Sequence, residues 1–152
     1  MENNLSLGRK GQASIEFIFL VIIILVYLHA ILLPTVNYAT AAANDAKRIT
    51  EASFAAQKLA DSINYVSSAS GDSVQTISVF IPNDAAISCA SSSVAMAVTL
   101  GSATGYSAAC GGLTCAKSYR IAQNIGCGSI TGPSMQRYKV FKIGGVISAA
   151  PS

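Results

Sequence analysis

Few residues in this chain could do chemistry, and those few are poorly placed for it. Among 152 residues there is one histidine, His29, and it sits inside a long apolar run. From residue 68 onward the carboxylates are Asp72 and Asp84, each beside turn-forming residues. Acid–base catalysis and metal binding both need several groups that converge on one point. That supply is nearly missing, so the chain is expected to be no enzyme and to hold no cofactor and no metal. Gly111-Gly112 and the pair Gly126 and Gly128 are isolated and match no phosphate-binding loop. The reactive groups that remain are four cysteines: Cys89, Cys110, Cys115 and Cys127. Their spacing contains no CxxC pair, which argues against a zinc ribbon or a thioredoxin-like site. An even count in a short, loop-rich segment instead reads as a disulfide framework. Sequence does not choose among the possible pairings. Short loops lean weakly towards Cys89 with Cys110 and Cys115 with Cys127.

A second constellation lies at the N-terminus. The chain reads Lys10-Gly11-Gln12-Ala13-Ser14-Ile15-Glu16-Phe17-Ile18-Phe19-Leu20, and apolar residues then run to Leu33. Arg9 and Lys10 precede the apolar run, and basic residues beside a span stay on the cytoplasmic side. Glu16 is costly in a membrane unless paired, but a helix N-terminus favours negative charge. The segment resembles the class III signal peptide of archaeal type IV pilin-like proteins, of the form Q-x-S-x-E-x-x-x-L. Gln12, Ser14, Glu16 and Leu20 occupy its four specified places. The match covers roughly residues 8 to 33.

The resemblance implies cleavage between Gly11 and Gln12 by a prepilin-peptidase-like membrane protease. The mature chain would keep its apolar helix and polymerise through it into a surface filament that serves adhesion. Glu16 would meet the α-ammonium of Gln12 on a neighbouring subunit. The implied partners are identical or related pilin subunits, a pilus assembly ATPase, a membrane platform protein, and cell or abiotic surfaces. Before assembly the precursor would sit in lipid as a single-pass protein with its N-terminus in the cytoplasm.

The elements that position these residues follow from periodicity. The hydrophobic fraction is 51 % against 11 % charged, and soluble domains carry about 25 % charged residues. Part of that excess is the block from Phe17 to Leu33, close to the ~20 residues that a bilayer crossing needs. Pro34 removes a backbone donor, so a kink or loosened turn is expected near residues 30 to 34. Beyond it Ile49, Ala52, Ala56, Leu59, Ile63 and Val66 recur at alternating intervals of three and four, an amphipathic seam. One helix from about Ala13 to about Ser67 is expected.

The stretch 67–73 reads as a breaker. After it, four β-rich segments appear: Thr76–Pro82, Val94–Leu100, Ser118–Ile125 and Arg137–Ile147. In the last, Tyr138, Val140 and Lys142 share one face, and Gly144-Gly145 marks a bulge or turn. Residues 101 to 117 and 126 to 134 read as loops tied down by cysteines. The expected fold is α+β: a long N-terminal helix whose second half packs on a small antiparallel β-sheet head with disulfides. The expected divisions are a cleaved leader at 1–11, a transmembrane or filament-core helix at 12–36, an amphipathic helix at 37–67 and an extracellular head at 74–152.

Other readings share some of these features. Ala39, Ala41 and Ala43 form A-x-A patterns just after the apolar block, as general signal peptidase requires. Cleavage there would release a small secreted disulfide-bonded protein. Glu16 and the length of the block argue against it. An archaellum subunit uses a related leader but generally lacks the Gln-Ala-Ser-Ile-Glu start. A membrane-anchored surface protein or minor pilin-like component that does not polymerise shares every local feature. After Asp84 the chain has no acidic residue and five basic ones, Lys117, Arg120, Arg137, Lys139 and Lys142. They read either as a thinly charged solvated surface or as a basic outer face. The aromatics Phe17, Phe19, Tyr27, Tyr38, Phe54 and Tyr65 are better explained by helix packing and interface anchoring than by an electron-conducting stack. The sequon Asn4-Leu5-Ser6 lies in the expected leader.

Overall fold

The structure is a computed structural model that describes residues 6–101 and 110–151, with side chains from residue 15 onward. The chain divides into two compact units, Met1–Thr40 and Ala41–Ser152. Helix α1 spans Ser6–Ser68 and so contributes to both. It begins earlier than the expected Ala13. Leu, Arg, Lys and Gln favour helix, which offsets the weak propensity of Gly8 and Gly11.

In the first unit the helix runs unbroken through Pro34. The expected loosening there does not end it. Thr35 Oγ1 donates to the carbonyls of Ile31 at 3.0 Å and Leu32 at 2.9 Å. Thr40 Oγ1 repeats the pattern on Val36 and Asn37, both at 3.0 Å. Each hydroxyl is thereby satisfied within its own helix, and Thr50 does the same on Ala46 further along.

In the second unit the seam is buried as its spacing implied. Ala52, Ala56, Leu59, Ile63 and Val66 are fully inaccessible, and Ile49 packs at the margin. They meet antiparallel sheets from the rest of the chain. Strand β1 (Ser73–Ile81), β6 (Ser134–Ile143) and β7 (Val146–Pro151) form a three-stranded sheet in the order β1-β6-β7. Strands β2 (Ala85–Ala90), β3 (Ser93–Thr99), β4 (Thr114–Arg120) and β5 (Ser129–Thr131) form a second, in the order β4-β3-β2-β5. Ile77, Val79, Ile81, Tyr138 and Val140 from the first sheet join Ile87, Val94, Met96 and Val98 from the second in one core with the helix seam.

The fold is therefore α+β as expected, with two corrections. The head has two small sheets rather than one. Stretches read as loops at 101–117 and 126–134 contribute the first part of β4, all of β5 and the start of β6. Strand β4 also begins and ends earlier than the expected Ser118–Ile125 segment. The short strand β2 (AAISCA) was not anticipated, because alanine and serine carry little β-propensity. It is held by pairing with β3 on one side and β5 on the other.

The turns have identifiable chemistry. Gly144 and Gly145 both have positive φ, 57° and 84°, and close the β6–β7 hairpin in two residues. Gly132 is required by close approach: a Cβ there would lie 1.9 Å from the carbonyl oxygen of Pro82.

Replacing Leu59 by Ala is expected to cost about 3 kcal/mol of stability through lost burial and a cavity. Replacing the exposed Phe54 by Ala is expected to cost less than about 0.5 kcal/mol. Denaturant unfolding of the full chain in detergent micelles measures both.

Candidate functional site

The first candidate is the helix surface from Ile15 to Tyr38. Its apolar side chains face outward on all sides, for example Phe19 at 61 % exposure and Ile23 at 66 %. No residue of its most apolar window is buried, and the helix is long and apolar enough to cross a membrane. Two ionisable groups of this surface, His29 and Glu16, behave differently. His29 donates through Nδ1 to the carbonyl of Leu25 at 3.1 Å, so part of its polarity is spent on its own helix. Glu16 is exposed, and no hydrogen bond or ion pair occupies its carboxylate among the described residues. Lys10, Gly11, Gln12 and Ser14 lie on the helical backbone, and their side chains fall outside the described set. Leu20 is exposed with its apolar neighbours.

The second candidate is the disulfide framework. The bonds are Cys89–Cys127 and Cys110–Cys115. This overturns the sequential pairing favoured by loop length. Cys89 ends the buried row of β2. The segment after β4 folds back onto the β2–β3 turn: Ile121 N–H donates to Ser92 at 2.8 Å and Ile125 N–H to Ser91 at 3.1 Å. That return brings Cys127 beside Cys89, and both are buried. Cys110 and Cys115 meet across the turn that contains Gly111, at φ 77°. Sequence separation alone could not register the return.

Polar side chains of the helix bind the head at its two ends. Asp45 is 3 % exposed, and its Oδ1 accepts from Gly101 N–H at 3.2 Å. Arg48 reaches Asp84 at 3.3 Å. Asn64 accepts from Ala122 N–H at 2.8 Å and donates to the carbonyl of Arg120 at 3.4 Å. Ser53 and the hydroxyl of Tyr119 are hydrogen-bonded.

The C-terminal end of the helix is closed by several donors. Its last carbonyls have no intrahelical donors. Ser67 Oγ donates to Asn64, Ser68 Oγ to Tyr65, and Ala69 N–H to Val66. Lys142 Nζ donates to Ser67 at 3.1 Å and to Ala69 at 2.6 Å. The last turn of the helix has no basic residue of its own, so the cation that suits the dipole arrives from β6.

This assigns one member of the basic C-terminal group to a structural role. The sequence signal was the phase of Lys142 with the buried Tyr138 and Val140. The remaining four are spread over two sheets. Lys117 and Arg120 lie on β4, with Lys117 Nζ 5.3 Å from the Tyr119 ring centre. Arg137 and Lys139 lie exposed on β6.

The carboxylates of the head are committed to structure as well. Asp72 Oδ1 accepts from Gly144 N–H at 3.1 Å, and Asp84 holds Arg48. Among the described residues, His, Cys, Asp and Glu side chains nowhere gather in a group of three. Burial raises the Tyr138 hydroxyl above its usual 10.0. No family model, no curated protein and no solved structure matches the chain.

Proteolysis without reduction is expected to yield peptides joining Cys89 to Cys127 and Cys110 to Cys115. The loops are 38 and 5 residues. Replacing both cysteines of a bond by Ala should therefore cost about 4 kcal/mol for the first and about 2 kcal/mol for the second. Lys142→Met is expected to cost about 1–3 kcal/mol, since it leaves carbonyls unpaired. Faster amide exchange in the last helical turn, with Lys142→Arg much milder, is the local readout.

Proposed function

We propose that this chain is the precursor of a structural subunit of a type IV pilus-like surface filament, and that it is not an enzyme. In this reading it is stored in the membrane through the helix surface that begins at Ile15. A prepilin-peptidase-like protease removes residues 1 to 11, and the mature chain polymerises through the same helix. The observation that carries the reading is that apolar surface. Among the described residues its apolar side chains are exposed on all sides, so in this reading it requires lipid or other copies of the same helix.

The motif around Gln12 supports the second alternative. Leaving the bilayer keeps that apolar surface out of water if the helices cover one another. Glu16 is then the natural partner for a new α-ammonium at Gln12, because a carboxylate in an apolar bundle is tolerated only when paired. The disulfide-tied head suits an oxidising exterior. A head with its carboxylates held by Arg48 and Gly144 suits a coat that displays surface rather than a site that turns over substrate.

One observation favours a second reading. The boundary between the two compact units falls between Thr40 and Ala41, inside the A-x-A run. Cleavage there would release the second unit as a secreted protein.

Sheared cell-surface material analysed by mass spectrometry separates the two. A filament subunit beginning at Gln12 is the expected result, and a soluble product beginning near residues 42 to 44 would overturn it. Glu16→Ala is expected to leave insertion and cleavage intact while lowering filament yield about tenfold or more, the loss of one desolvated charge pair.

A further inference from the structure

A groove runs between α1 and β1 within the second unit. Strand β1 is an edge strand of its sheet. The groove is lined by Phe54, Gln57, Lys58, Asp61 and Tyr65 from the helix and by Gln75 from the strand, and its volume is about 530 Å³. Small-molecule sites occupy ~300–1,000 Å³.

Gln75 is out of place in its row. It lies on the inward side of β1, opposite Val140 of β6. The next residues of that row, Ile77, Val79 and Ile81, are all buried and apolar. Gln75 Oε1 is itself buried, and no hydrogen bond reaches it among the described residues. A buried acceptor without a donor costs about 1–3 kcal/mol, so an apolar residue would serve the core better. The nearby donors are committed elsewhere. Lys58 Nζ donates to the Ser78 carbonyl at 2.9 Å, and Ser62 Oγ donates to the Lys58 carbonyl at 2.8 Å.

The other groove residues narrow the chemistry of an occupant. Phe54 and Tyr65 are each 68 % exposed. Eleven residues apart, they lie within about 20° of one another around the helix and about 16 Å apart along it. Between them Gln57 and Asp61 are exposed, with no hydrogen bond or ion pair among the described residues. Lys58 keeps its positive charge on its carbonyl partner, and Asp61 is a carboxylate, so the formal charges of the lining cancel. The occupant is therefore neutral. It must bring donors for Gln75 and Asp61 and an apolar face for the aromatic rings. A sugar ring does both: its hydroxyls donate and accept, and its C–H bonds present a slightly positive face to the negative face of an aromatic ring. A second hollow of about 340 Å³ lies beyond Phe54 and Lys58, towards Phe80 and Met135. Its polar groups are already matched, Lys58 with Ser78 and Glu51 with Lys47, so it makes no such demand.

We propose that the groove between α1 and β1 binds a neutral oligosaccharide. Phe54 and Tyr65 are the stacking platforms, and Gln57, Asp61 and Gln75 bind hydroxyls. The separation of the two rings suits a short chain of sugars rather than one. The site belongs to the head and does not depend on the polymer reading above.

Saturation-transfer NMR on the full-length chain in micelles of a sugar-free detergent tests it. The probes are trisaccharides of glucose, mannose, galactose and N-acetylglucosamine, with trigalacturonic acid as the charged comparison. The expected result is binding of at least one neutral trisaccharide, insensitive to ionic strength, and weaker binding of the acidic one. Phe54→Ala and Tyr65→Ala should each weaken binding about threefold to tenfold. Gln75→Leu should weaken it by a similar factor, with a denaturant midpoint no lower than that of the parent.

No binding of any neutral trisaccharide, equal binding of the acidic one, or binding that survives Tyr65→Ala combined with Gln75→Leu would each overturn the site. A lowered midpoint for Gln75→Leu would do so too, because the amide would then already have its partner inside the head. Filaments that begin at Gln12 but bind no sugar would sink the site and leave the polymer reading intact. Sugar binding by a chain that never enters filaments would do the reverse.

Discussion

Apolar surface has to be covered, and one helix in this chain carries two versions of that demand. In its second half the demand is a stripe, Ala52 to Val66, and the chain meets it alone by folding two sheets over it. In its first half the demand runs all round the helix, and among the described residues no side chain of its most apolar window is buried. A helix can present such a surface because its backbone hydrogen bonds are internal. Thr35 and Thr40 keep to the same rule by returning their hydroxyls to the helix. The proposed life of the chain, first in lipid and then among copies of itself, follows from that uncovered half.

The head can then be understood as the means of holding the buried stripe. Helix and sheets are joined by burial along the seam and by polar bonds at its margins. Asp45 and Arg48 bind one end, and Asn64 and Lys142 the other. The apolar contacts bury the seam, and the polar ones tie its two ends. The Cys89–Cys127 bond works on a different part of the problem. It fixes the returning segment after β4, which has little regular pairing of its own. Charge is scarce, and most of it is spent inside the unit.

Periodicity was enough to determine the helix, its apolar first half, the seam and the Tyr138–Val140 face, because each is a local repeat matched to one solvent. The seam alternates threes and fours, and β6 alternates singly, so burial follows directly from spacing. The processing motif is equally local, and its expected consequences need no tertiary information. Composition alone also made catalysis an unpromising reading.

Only the tertiary structure decided what depends on chain return. It paired Cys89 with Cys127, because the segment through Ile121 and Ile125 binds back on the β2–β3 turn. It divided the strands into two sheets and built β2 from alanine and serine, whose weak propensity is overruled by neighbours on both sides. It turned Lys142 from one of five bases into the cap of the helix. These outcomes rest on contacts between residues far apart in sequence, where loop length and local pattern carry no information about which partner arrives.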